Sequence, residues 1–138
     1  MFFLRDLKIR KMKAKLKRVI IFCSDVVSLA GFYQENFGLT VIGKLDKDWT
    51  VLDAGATEIG FHKSGSKFFK SDAEKFKGGN SNIKLVFETE SDIDTIRQEL
   101  LDKKVKMKNV TRVEGLSYVW CDGYDPDGNV FQVMQTIK

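Results

Sequence analysis

Between Leu116 and Met134 the chain reads Leu-Ser-Tyr-Val-Trp-Cys-Asp-Gly-Tyr-Asp-Pro-Asp-Gly-Asn-Val-Phe-Gln-Val-Met. At the centre of this stretch lies Asp125-Pro126-Asp127-Gly128-Asn129, which holds the only proline of the protein. Proline presets φ for the first corner of a turn, Asp side chains bond nearby backbone N–H groups, and glycine accepts positive φ. Alternating apolar residues flank the turn, so the stretch predicts a hairpin of strands near 116–124 and 129–136.

Upstream of the hairpin the chain repeats one pattern twice. Residues 16–23, Leu-Lys-Arg-Val-Ile-Ile-Phe-Cys, are rich in β-branched and aromatic residues and predict a strand. Ser24 or Asp25 then caps a helix to about Phe37, with Leu29, Phe32, Tyr33 and Phe37 at helical spacing and Gly38 in the usual stop position. Three short strands follow, near 39–44, 48–54 and 57–63. The pattern restarts with a strand at 82–89. A helix follows, capped by Ser91 and buried along Ile93, Ile96, Leu100 and Leu101, then a strand at 105–111 and the closing hairpin. Asp94 stands where a capping box prefers Glu or Gln. Ser24-Asp25 and Ser91-Asp92 are thus equivalent points, 67 residues apart, in two copies of one strand–helix–strand–strand–strand unit. The repeat predicts an α+β fold of two βαβββ modules, 16–63 and 82–136, forming a curled mixed sheet around a cleft with the helices outside.

These motifs resemble the vicinal-oxygen-chelate superfamily, which includes glyoxalase I, bleomycin-resistance proteins and extradiol dioxygenases. The resemblance rests on the closing hairpin and on Ser24-Asp25-Val26 followed by Phe32-Tyr33 and Phe37-Gly38-Leu39, and it covers roughly residues 16–136. It implies a glyoxalase-like fold, commonly seen as a dimer or fused pair. It does not by itself imply one activity, because a single scaffold hosts many chemistries.

Length and composition fit one domain, with 138 residues, 43% hydrophobic and 30% charged. Cys23 and Cys121 have no CxxC partner and fall inside strands, which predicts buried, reduced thiols in a cytoplasmic protein. Residues 1–11 are read as a basic extension outside the fold, with Met12 as an alternative start and 12–138 as the domain. No apolar run there is long enough for a signal peptide or a membrane helix. The net charge of +4 and the run Lys8, Arg10, Lys11, Lys13, Lys15, Lys17, Arg18 raise nucleic acid as a partner. The charge sits at one end and no nucleic-acid motif follows, so a solvated basic tail is the expected reading. Residues 64–81, with Phe68, Phe69 and Phe76 among glycines and lysines, predict a long connection, a candidate lid or dimer arm.

Strand parity separates cleft-facing from core-facing residues. It sends Arg18, Ile20 and Phe22 of the first strand to one face and Val19, Ile21 and Cys23 to the other. Lys84 and Gln132 join Arg18 on the cleft side. Metal-dependent relatives hold Zn²⁺, Ni²⁺, Mn²⁺ or Fe²⁺ with His, Glu or Gln from these strands. By that resemblance the ligand positions here are Arg18, Lys84 (within one residue of register) and Gln132. A divalent cation needs neutral imidazole or anionic oxygen, and lysine or arginine repels it. The expectation is therefore no cofactor and a degraded metal site, the alternative being a divalent metal on Gln132, His62 and Glu58. Two readings of Arg18 and Lys84 stand side by side: they bind a carboxylate or phosphate of a ligand, or they pair with a carboxylate such as Glu88.

His62 shares a strand face with Glu58 and Gly60. A lone histidine is more often a packed or surface residue than a catalyst, yet imidazole is the side chain best suited to general-base work. Phe22, Trp49, Tyr118 and Trp120 are candidate aromatic walls, with core or dimer packing as the alternative. The function expected is binding or sequestering of a small molecule, anionic or aromatic, by a homodimer without membrane or nucleic-acid partners. The alternative is a metal-dependent lyase or isomerase resembling lactoylglutathione lyase.

Overall fold

The structure, a computed structural model, describes residues 16–64 and 83–137. The expectations for the basic extension at 1–11 and for the connection beyond Ser64 lie outside the described residues. Module one runs β1 (Arg18–Cys23), α1 (Val26–Phe37), β2 (Thr40–Ile42), β3 (Trp49–Asp53) and β4 (Glu58–Lys63). Module two runs β5 (Leu85–Thr89), α2 (Ile93–Asp102), β6 (Lys106–Met107), β7 (Tyr118–Tyr124) and β8 (Val130–Thr136). Each module builds a four-stranded mixed sheet, ordered β1-β4-β3-β2 in the first and β5-β8-β7-β6 in the second. In each the first strand pairs parallel with the last, and the remaining pairs are antiparallel. This is the two-module α+β fold that the repeat predicted.

The helix boundaries follow from their caps. Asp25 accepts a hydrogen bond from the Ser28 amide at 3.0 Å, and Gly38 ends α1 at φ 68°, donating its N–H to Gln34 O. In module two the cap is Asp92, whose carboxylate accepts from Thr95 N at 3.0 Å; Ser91 stands one residue before it. The expected cap at Ser91 is thus corrected to Asp92. Between strand and cap, module one has Ser24 alone, whereas module two has Glu90 and Ser91. That extra residue settles the register, since it makes Lys84 rather than Leu85 the counterpart of Arg18. The strand expected at 105–111 is only Lys106–Met107, followed by an isolated bridge from Thr111 to Trp120.

Two buried clusters make the core. Cys23, Val26, Leu29, Ala30, Tyr33, Leu52, Ile59 and Phe61 form the first, under α1. Ile93, Leu100, Val105, Val119, Cys121, Phe131 and Val133 form the second, under α2. Phe32, Phe37, Leu85 and Phe87 pack against both clusters, so the modules share one continuous apolar interior. The stripe expected on α1 splits accordingly. Leu29 and Tyr33 are buried against the first sheet with Val26 and Ala30, while Phe32 and Phe37 turn towards Phe131 at 5.8 and 5.2 Å. Helix α1 thus serves both modules.

Tyr33 and Asp125 tie the modules together with a buried hydrogen bond of 2.7 Å from Tyr33 Oη to Asp125 Oδ2. Asp125 is completely buried and also accepts from Asp127 N, Asn129 N and Asn129 Nδ2. The Asp-Pro-Asp-Gly-Asn turn is therefore held from inside, which explains why the hairpin docks on the first helix. Among the described residues no helix is long and apolar enough to cross a membrane.

Candidate functional site

Among the described residues, each sheet has one face against a helix and one without. Parity places Arg18, Ile20 and Phe22 on the open face of the first sheet, opposite Glu58, Gly60 and His62 of β4. Trp49 lies opposite His62 on the next strand. The predicted residues of module one therefore do gather. The His62 ring meets Phe22 edge-on at 5.6 Å and Trp49 at 5.8 Å, and the Arg18 guanidinium lies 5.7 Å from the centre of the Trp49 ring. Gly60 makes this seating possible. A Cβ there would stand 2.6 Å from Trp49 Cη2 and 3.2 Å from Arg18 Cδ, so only glycine lets both side chains lie across the strand.

Arg18 is not an unpaired charge. Its Nε and Nη2 both donate to Glu58 Oε1, at 3.0 and 2.7 Å, while Lys17 Nζ holds Glu58 Oε2 at 3.0 Å. These donors pull the Glu58 carboxyl below its ordinary pKa, Lys17 first and Arg18 second. Lys84 likewise donates to Asp122 Oδ2 at 3.0 Å, and the same carboxylate accepts from Gln132 Nε2 at 3.0 Å. The pairing alternative for the two cations is what the structure shows, but not with Glu88, which accepts from Thr136 Oγ1 instead. Asp122 escaped the sequence reading. Its signal was present: it alternates with Tyr118 and Trp120 along β7, an acid on an otherwise aromatic face. Tyr118 and Trp120 lie together there, their rings 5.4 Å apart.

The site thus has two parts, Arg18–Glu58–Trp49–His62–Phe22 on the first sheet and Lys84–Asp122–Gln132 with Tyr118 and Trp120 on the second. No hydrogen bond or ion pair joins them among the described residues. Beside them, two apolar side chains are exposed, Ile20 at 44% and Val86 at 51%.

At Arg18, Lys84 and Gln132, the positions that the resemblance implies as ligands, the side chains do not suit a divalent metal. Two of the three are cations, and the carboxylates beside them, Glu58 and Asp122, are already engaged by those cations. The expected substitutes, His62 and Glu58, share a face, but Glu58 is held by Arg18 and Lys17. Among the described residues no three His, Cys, Asp or Glu side chains cluster closely enough to hold a metal ion. Nor do the thiols offer a nucleophile. Burial, reinforced by Asp127 near Cys23 and by Asp122 near Cys121, lifts both to about 11.

The family model of the Glyoxalase/Bleomycin resistance protein/Dioxygenase superfamily matches residues 15–133. No curated protein sequence matches the chain. Among solved structures, a family enzyme from Burkholderia phytofirmans superposes with TM-score 0.72 at 21% identity, over 90% of this chain and all of that one. The fosfomycin resistance protein FosX of Listeria monocytogenes gives 0.70 at 17%, over 90% and 94%. Lactoylglutathione lyase of Agrobacterium tumefaciens gives 0.66 at 16%, over 91% and 96%. At such identities the likeness is one of fold.

Proposed function

The chain belongs to the glyoxalase, bleomycin resistance protein and dioxygenase superfamily, and from that premise we propose that it binds and sequesters a small molecule without a metal. The observation that carries this reading is the chemistry of the ligand positions. Arg18 and Lys84 stand where metal-dependent relatives have donors, and each is bonded to the nearest carboxylate. A ligand carboxylate or phosphate can exchange with Glu58 or Asp122 for the guanidinium or ammonium, with arginine offering a two-pronged contact. Phe22, Trp49, Tyr118 and Trp120 offer ring faces for the body of the ligand, so an anionic or aromatic molecule fits best.

The exposed apolar residues Ile20 and Val86 support a second copy of the chain as the cover of this face, giving a homodimeric cleft. Buried thiols are in keeping with a cytoplasmic protein. A lyase or isomerase like lactoylglutathione lyase is the alternative reading. It draws support from His62 on the open face and from the shared fold, but it needs metal donors that Arg18 and Lys84 do not supply.

Elemental analysis, after purification without a metal column and reloading with Ni²⁺, Zn²⁺, Mn²⁺ and Fe²⁺, separates the two. No retained metal is expected, together with a rise in Tm when a binding anion is added. Near-stoichiometric metal in the reloaded protein would overturn the sequestering reading and put the lyase first.

A further inference from the structure

A cavity of about 600 Å³ opens where α1 meets the loop between α2 and β6 and the closing turn. It shares no lining residue with the open-face clusters. One wall is Phe32, Glu35 and Asn36 of α1; the others include Lys103, Lys104, Lys106, Tyr124 and Pro126. Both modules are needed to build it.

Its chemistry is that of an anion site with an apolar floor. Among the described residues, Lys103, Lys104 and Lys106 line it together with two carboxyl groups. One of these, Asp125, is fully enclosed with both oxygens already bonded, and the other, Glu35, is exposed at the rim. A fourth ammonium, that of Lys108, lies 5.8 Å from the centre of the Tyr124 ring. Lys103 reaches across the crevice to the Glu35 carbonyl at 3.5 Å, so it also steadies the C-terminal end of α1. On the α1 wall the Asn36 amide donates to Phe32 O at 2.9 Å, while its Oδ1 is buried without a hydrogen-bond donor among the described residues. The rings of Phe32 and Tyr124 and the Pro126 ring give a flat body something to pack on.

We infer that this crevice is a second binding site, for a small aromatic anion, on a part of the molecule distinct from the proposed sequestering face. The inference does not depend on that function, because neither the residues nor the faces are shared. Lys104 provides the means to test it. It closes α2 at φ 70°, in the position where glycine is usual, and is the only non-glycine residue at positive φ among those described. Lys104→Gly therefore removes a charge from the crevice while relaxing the backbone, so Tm is expected to hold or rise.

The experiment is a titration of the full chain with phenyl phosphate and with inorganic phosphate, followed by ¹H–¹⁵N spectra. Phenyl phosphate is expected to shift amides of residues 31–36 and 103–106, and Lys104→Gly to weaken its binding on the order of five-fold. Inorganic phosphate is expected to bind more weakly by a similar factor, since it leaves the ring wall empty. Arg18→Gln, on the other face, is expected to change nothing at these amides. Absence of those shifts at about 20 mM probe, undiminished binding by Lys104→Gly, or equal affinity for the two phosphates would each overturn the proposal.

Discussion

Asp125 shows how much one buried group can carry. Burial raises its carboxyl pKa above the ordinary aspartate range, against the opposing pull of its hydrogen bonds to Asn129 and Tyr33. Because the folded-state pKa lies above the unfolded one, its contribution to stability is fully present below the unfolded pKa and declines as pH rises through the folded pKa. Asp125→Asn is accordingly expected to gain on the native protein from about pH 4 upward, in urea midpoints measured across pH. Asp125→Ala is different, because it strands the buried Tyr33 Oη, whose hydrogen bond goes to Asp125. A loss of about 2–4 kcal/mol is expected, read by urea unfolding. Glu58 has the opposite sign. Its lowered pKa gives stability that is present above the ordinary glutamate range and lost as pH falls through the folded value. Glu58→Gln should flatten the acid limb of a Tm-against-pH curve; an unchanged limb would mean the Arg18 and Lys17 bonds contribute nothing in solution.

At the scale of elements, β4 sets the open face. Its alternation places Glu58, Gly60 and His62 together, and the missing side chain at Gly60 lets the Trp49 indole lie over the strand. Gly60→Ala should swing Trp49 away from Arg18 and His62 and cost about 1–3 kcal/mol. In a Trp120→Phe background, the emission of Trp49 should then shift to the red; unchanged emission would show that the ring does not rest there. Much of this element was legible in the chain. The grouping of Arg18, Ile20 and Phe22 follows from the period of two along a strand, and the α1 boundaries follow from Ser24 or Asp25 and from Gly38. The link between β5 and α2 was less legible, since Ser91 and Asp92 are both good caps and only the docked helix selects Asp92.

At the scale of the whole molecule, Phe32, Phe37, Leu85 and Phe87 join the two cores. Phe37 and Phe87 stack with ring centres 4.2 Å apart. The modules should therefore unfold together in one calorimetric transition, and Phe87→Ala should lower its midpoint by an amount corresponding to about 3 kcal/mol without splitting it. Two transitions would mean that the repeats fold as independent units. Sedimentation velocity tests the proposed homodimer: two chains are expected, and Ile20→Lys should shift the population towards one.

What the residues determined alone was local: the strands, the helices and their stops, the turn at Pro126, and the two-fold repetition that specifies the fold. Each depends on neighbours a few positions away, where spacing and backbone preference act. What tertiary structure decided was every partner across the chain. Arg18 finds Glu58 forty residues on, Lys84 finds Asp122 thirty-eight residues on, and Tyr33 finds Asp125 ninety-two residues on. Those pairings are set by strand register and by the docking of one module on the other. A one-residue difference between the modules, Glu90 with Ser91 against Ser24 alone, is enough to decide which side chain reaches the open face.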